Sequence, residues 1–169
     1  MAPSIGTTPV SKVAIKQLVT VGPTDKLEAI ASLFESKQIS AAPVVDGMEK
    51  CVGIITSSDV VRYESLRNTL NEQFPQGLAF DMTEPAGDQP LEFQDRPFDE
   101  AAYHMSQEFA TIDAAAPLSR AARQMCRQRI HHLVLLDTAG RPQGILSALD
   151  ILAEQLGEPV GAGQSDSAS

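Results

Sequence analysis
The chain repeats itself. Residues 20–61 align on residues 111–152 without a gap, at a fixed offset of 91 positions. Thr20 falls on Thr111, Leu27 on Leu118, Ala31 on Ala122, Ile39 on Ile130, Asp46 on Asp137, Gly53 on Gly144, Ile54 on Ile145 and Asp59 on Asp150. These identities occupy apolar-core and turn positions of a single plan, and periodic self-similarity of this kind marks a duplicated structural unit.

That plan reads directly from the residues. In the first copy Leu18–Val21 is a short β-prone run broken by Gly22-Pro23. Thr24 or Asp25 is expected to cap a helix whose Leu27, Ile30, Ala31 and Phe34 recur at i, i+3, i+4 and i+7. Strands are predicted at Ala42–Val45 and Val52–Thr56, joined by an Asp46-Gly47 turn, and Ser57 or Ser58 starts a further helix. The second copy has a strand at Ala110–Ile112 and a helix opened by Pro117 with Leu118, Ala121, Ala122 and Met125 inward. Strands at Leu133–Leu136 and Ile145-Leu146 and a last helix over Asp150–Leu156 complete it. Each copy is thus β-α-β-β-α in about 45 residues, too small a unit to cover both faces of its own sheet. The expected fold is α/β of an α+β-like kind: two β-α-β-β-α repeats packed face to face with pseudo-twofold symmetry.

Each copy ends in the same phrase: Gly53-Ile54-Ile55-Thr56-Ser57-Ser58-Asp59 and Gly144-Ile145-Leu146-Ser147-Ala148-Leu149-Asp150. Strand residues run into a helix start here, so free N–H groups and the positive helix end converge where an anion can sit. A Thr or Ser hydroxyl adds a donor, the aspartate can accept from a ribose diol, and the glycine permits close backbone approach. The aspartates could equally charge the first turns of their helices.

The two phrases in register resemble the signature of CBS domains, the regulatory modules named after cystathionine β-synthase. The likeness covers roughly residues 10–61 and 103–156. It implies a Bateman-type tandem pair that binds AMP, ADP, ATP or S-adenosylmethionine between its repeats as a regulatory ligand, with no cofactor required. The base slot would be lined by Thr20-Val21 with Ile39, Ser40, Ala42 and Pro43, and by Thr111-Ile112 with His131 and Leu133. Thr56, Asp59, Ser147 and Asp150 would hold phosphate and ribose. Ile130–Val134 is similar to one repeat of the gamma subunit of the AMP-activated protein kinase, which implies phosphate contact for His131; Ser40 stands at the matching place in the first copy. His131 and His132, adjacent at a strand start, are expected to face opposite sides.

The expected division is a flexible N-terminus (1–9), repeat 1 (10–72), an acidic irregular connector (73–97), repeat 2 (98–156) and a Gly/Ser-rich flexible tail (157–169). Net charge is −9, and residues 62–110 carry 10 acidic against 3 basic residues. There is no concentrated basic face for nucleic acid. Arg120, Arg123 and Arg127 read as a solvated helix face, and His104 as an ordinary polar contact. No apolar run approaches the ~18–20 residues that span a bilayer. Cys51 and Cys126 form neither a CxxC pair nor a zinc spacing, so reduced core thiols in a cytoplasmic protein are expected, and no metal. The absence of Walker A, G-x-S-x-G and H-E-x-x-H phrases argues against an enzyme. A homodimer and an unidentified protein target are expected partners. The alternative is a ligand-free interaction module that uses the paired surface and the acidic connector.

Overall fold
The computed structural model describes residues 6–14, 18–73 and 97–159. The acidic connector, apart from its ends, and residues 160–169 of the tail lie outside the described residues. In chain order come α1 (Val10–Val13), α2 (Leu27–Lys37), β1 (Ala41–Val45), β2 (Cys51–Thr56), α3 (Ser57–Gln73), a 3-10 turn (Pro97–Asp99), α4 (Ala101–His104), α5 (Leu118–Gln128), β3 (His132–Leu136), β4 (Pro142–Ser147) and α6 (Ala148–Leu156). The 91-residue offset maps α1, α2, β1 and β2 onto α4, α5, β3 and β4 to the residue.

The strands pair within each repeat as antiparallel hairpins, Ala41 opposite Thr56 and His132 opposite Ser147, and both slip register at the matching place, after Val44 and after Leu135. The turn chemistry explains the hairpins. Asp46 accepts from the N–H groups of Met48 and Lys50, and Asp137 does the same for Ala139 and Arg141. The expected first strand of each repeat shrinks to one parallel bridge, Val21 to Val44 and Thr111 to Val134. In the first repeat the chain turns away at once, because Gly22 N–H donates to the Asp25 carboxylate at 2.7 Å. Asp25 is therefore spent on this turn and does not cap α2, whose cap position is Lys26, with no side-chain hydrogen bond.

Two faces of each hairpin find different cover. Leu27, Ile30, Phe34, Val44 and Ile55 form the helix-side core of repeat 1, and Leu118, Ala121, Met125, Leu133 and Leu146 that of repeat 2. Between the repeats, Ala41, Ile54, Val134 and Ile145 make a third, shared cluster. Burial of each large side chain there stabilises by about 1.5–3 kcal/mol, so the surface one repeat cannot cover is covered by the other. At the hairpin tips Cys51 N–H donates to Gly140 O at 3.0 Å, and Arg141 lies 3.6 Å from Glu49.

The short helices are exchanged. α1 precedes repeat 1 in the chain yet buries Val10, Val13 and Ala14 in the core of repeat 2, while Ala101 of α4 packs into the core of repeat 1. The backbone bonds are twins as well. Val10 N–H reaches Ala116 O and Ser11 N–H reaches Ala114 O, while Ala101 N–H reaches Asp25 O and Ala102 N–H reaches Pro23 O. Lys26 Nζ clamps the α4 side, 2.7 Å from Asp99 Oδ1 and 3.6 Å from Glu100 Oε1. The expectation of a flexible start to residue 9 therefore fails for its last residues: Pro9 bridges Pro117, and Thr8 O accepts from Leu118 N–H.

This exchange also explains Gly53. A Cβ there would lie 2.7 Å from Met105 Sδ and 3.1 Å from Ser106 O, where Ser106 pairs with Ile54 on the edge of β2. The glycine makes room for the chain's own crossing segment. The cysteines also sit differently from expectation. Cys126 is exposed, and Cys51 is half-buried at the repeat junction, its thiol pushed up by burial. His104 stacks edge-on against Tyr63, ring centroids 5.2 Å apart.

Candidate functional site
Two cavities open where the repeats meet. The larger, about 510 Å³, is lined by the β2–α3 junction (Ile54, Thr56, Ser57, Ser58), by Ser106, Phe109 and Ala110, and by Arg129–His132, with Ser40 and Ser147–Leu149 at its border. The smaller, about 180 Å³, is lined by Leu18, Val19 and Gln38–Ala41, and by Ile145, Ser147, Leu149 and Asp150 of the β4–α6 junction, with His132. Moved by 91 positions, Leu18, Val19 and Gln38–Ala41 become Phe109, Ala110 and Arg129–His132, and Ser147 becomes Thr56. The two cavities are twins under the pseudo-twofold axis. Each combines the signature junction of one repeat with the helix-to-strand bend of the other.

The junctions are built by their aspartates. Asp59 Oδ2 accepts from Thr56 N–H at 2.9 Å and from Thr56 Oγ1 at 2.7 Å, and Asp59 Oδ1 is 3.4 Å from Arg62 Nη1. Asp150 Oδ2 accepts from Ser147 N–H and Oγ, both at 2.7 Å, and Asp150 N–H returns a bond to Ser147 Oγ at 3.1 Å. The second junction is a full capping box. Both carboxylates are buried, and both hydroxyl protons point at carboxylate oxygen, so one oxygen of each aspartate is already engaged. Asp150 still borders the smaller cavity; Asp59 is absent from the lining of the larger one.

Ser40, Thr56, His131 and Ser147 line the larger cavity, and Ile39, Ser40, Ser147 and Asp150 the smaller. Val21, Ala42, Ile112 and Leu133 sit instead in the helix-side cores, and Pro43 is fully enclosed. Alternation along a strand sends these side chains toward the helices and leaves the cleft to their neighbours. Their backbone is also committed. Val21 N–H donates to Pro43 O, Val45 N–H to Val21 O, and Ile112 N–H to Val134 O. Thr20 and Thr111 are exposed and outside both linings, and Thr111 O accepts from Gln124 Nε2.

The adjacent histidines do not face opposite sides. His131 occupies the bend before β3, where strand alternation does not apply, and both residues line the larger cavity. His132 Nε2 lies 3.1 Å from Ser40 Oγ, a hydrogen bond that crosses from one repeat to the other between the two cavities. Burial, and then the neighbouring His131, hold the His132 imidazole below the ordinary value of 6.5, with Asp150 pulling the other way. The residues that sequence reasoning missed are Arg129 and Gln38, with the apolar wall of Phe109, Leu18 and Leu149. Gln38 and Arg129 are the C-caps of α2 and α5, held in left-handed conformation at φ 51° and 54°. The offset pairs them just ahead of Ile39 and Ile130, which is the signal that could have found them.

The CBS domain profile matches residues 10–66 and 100–157. This chain belongs to the CBS-domain family. Sequence relatives include the inosine-5'-monophosphate dehydrogenase of Methanocaldococcus jannaschii, 43% identical over 53 residues that make up 31% of this chain and 11% of that protein. An uncharacterised protein of the same organism is 28% identical over 149 residues, 88% of this chain and 40% of its own length. The chain thus spans well under two thirds of the relatives it matches. Among solved structures, the CBS domain pair of protein MJ0100, in complex with 5'-methylthioadenosine and S-adenosyl-L-methionine, superposes with a TM-score of 0.69 at 20% identity, over 89% of this chain and 98% of that one. CBSX2 in complex with AMP superposes at 0.64 and 17% identity, over 88% and 96%. These likenesses show the fold: a tandem CBS pair. Among the described residues no helix is long and apolar enough to cross a membrane, and no cluster of His, Cys, Asp or Glu could hold a metal ion.

Proposed function
We propose that the chain is a non-enzymatic regulatory module that takes an adenosine ligand (AMP, ADP, ATP or S-adenosylmethionine) between its CBS repeats. The observation that carries the reading is the twin construction of the cavities. Each has an apolar wall for a base, a helix start at its rim, and lining from both repeats. A guest bound there touches both halves at once, so its binding energy favours one packing of the repeats over others. The solved CBS pairs that hold AMP, methylthioadenosine and S-adenosylmethionine support the same ligand class.

The test is titration calorimetry of the whole chain with each of these four ligands, with Asp150→Asn as the paired variant. Asparagine keeps an oxygen for the capping bonds and removes the charge that would hold a ribose diol. Binding of at least one of the four to the wild type is the expected result, with a ligand of the Asp150-lined cavity weakened about tenfold in the variant. Absence of heat and of thermal shift at millimolar ligand overturns the reading. The aspartate oxygens already spent on Thr56 and Ser147 favour a second reading, a ligand-free docking module; it predicts that silent calorimetry.

Pairing with a second copy is part of the proposal. Leu152 and Leu156 stand 51% and 67% exposed on α6, outside both cavities, a face that a symmetric copy of itself would cover. Sedimentation of the wild type against Leu152→Asp reads it: dimer to monomer supports the pairing, and a monomeric wild type overturns it.

A further inference from the structure
The twin cavities share a backbone plan but not a charge. The larger one carries Arg129 together with His131 and His132, and no carboxylate lines it. At the matching places the smaller one has Gln38, Ser40 and Ala41; it shares His132 with the larger one and carries the carboxylate of Asp150 with no lysine or arginine. The Arg129 guanidinium has no ion-pair or hydrogen-bond partner among the described residues, although the protein is acidic overall. Gln38 and Arg129 share the same left-handed cap, so the two cavities differ there in side chain and not in backbone. A planar, permanently charged fork is the side chain best matched to a phosphoryl group.

We propose that the two cavities take different guests, with Arg129 as the specificity-determining residue. The larger one binds the phosphate-bearing adenosine ligand. The smaller one, walled by Gln38 and Asp150, excludes phosphate and admits only an adenosine compound that is neutral or cationic. The proposal rests on the adenosine reading above and adds the division of labour. The guanidinium supplies charge-assisted hydrogen bonds to phosphate oxygen, with His131 beside it. Across the axis the amide of Gln38 offers no charge, and the Asp150 carboxylate repels an anion.

The test compares AMP with adenosine, by calorimetry on the full chain, in the wild type, Arg129→Gln and Gln38→Arg. Both sites of substitution are exposed, and circular dichroism verifies that the variants fold. The expected result is one AMP per wild-type chain, bound about tenfold or more tightly than adenosine. Arg129→Gln brings the AMP/adenosine ratio down toward one while adenosine affinity is unchanged, and Gln38→Arg adds a second AMP. Equal affinity for AMP and adenosine in the wild type, an unchanged ratio in Arg129→Gln, or two equivalent AMP sites in the wild type each overturn the proposal while leaving the adenosine reading intact. If neither compound binds the wild type, the adenosine reading itself falls, and the division of labour falls with it.

Discussion
The two repeats are nearly the same object in their cores and different objects at their rims. Leu27 and Leu118 are both fully enclosed, the hairpins carry the same register slip, and α2 and α5 end in the same left-handed cap. At the cleft, serine and alanine on one side face two histidines on the other, and glutamine stands where its twin is arginine. Backbone symmetry is held by packing, which tolerates little change of volume. Rim side chains bear no such constraint, so one scaffold can present two chemistries.

The comparison can be broken at the core first. Leu27→Ala and Leu118→Ala each remove a fully buried side chain and are expected to cost about 2–5 kcal/mol in urea denaturation. Near-equal losses support equivalent skeletons; a difference of several kcal/mol would show that one repeat carries the stability. A smaller effect is expected at the caps. Gln38→Gly and Arg129→Gly relieve a left-handed non-glycine backbone and should each raise stability by up to about 1 kcal/mol. Only Arg129→Gly should lower AMP affinity, which separates the shared backbone from the unshared rim.

The gentlest test uses acid. The His132 value lies below 6.5 in the folded chain, so between that depressed value and 6.5 the unfolded chain binds more protons. Stability therefore rises with pH through this window and is complete above it. The ring faces His131, Ser40 and Asp150, and the matching position in repeat 1 is Ala41. His132→Asn should flatten the acid limb of a stability-versus-pH curve; an unchanged limb would assign the sensitivity elsewhere.

Much of this skeleton is legible in the sequence, because Asp46 and Asp137 mark the turns and the apolar stripes of α2 and α5 mark the buried faces. The exchange of α1 and α4 is not legible. Val10-Ser11-Lys12-Val13 and Ala101-Ala102-Tyr103-His104 share no residue, and each is placed by contacts far along the chain rather than by its own pattern. The candidate site is legible only in part. The signature junctions announce themselves, but strand alternation alone does not say which face meets helices and which meets the partner repeat, so Val21, Ala42, Ile112 and Leu133 read as cleft residues when they are core. Arg129 lacks the glycine that usually betrays a left-handed cap, and His131 escapes the alternation rule by standing one residue before the strand.

The crossed placement of α1 and α4 ties the halves in a mutual clasp. A protease cut anywhere between residues 73 and 97 would sever the peptide yet release nothing, since each fragment keeps a short helix lodged inside its neighbour. By the same logic, trimming the chain up to residue 14 would wound the far repeat and spare the near one.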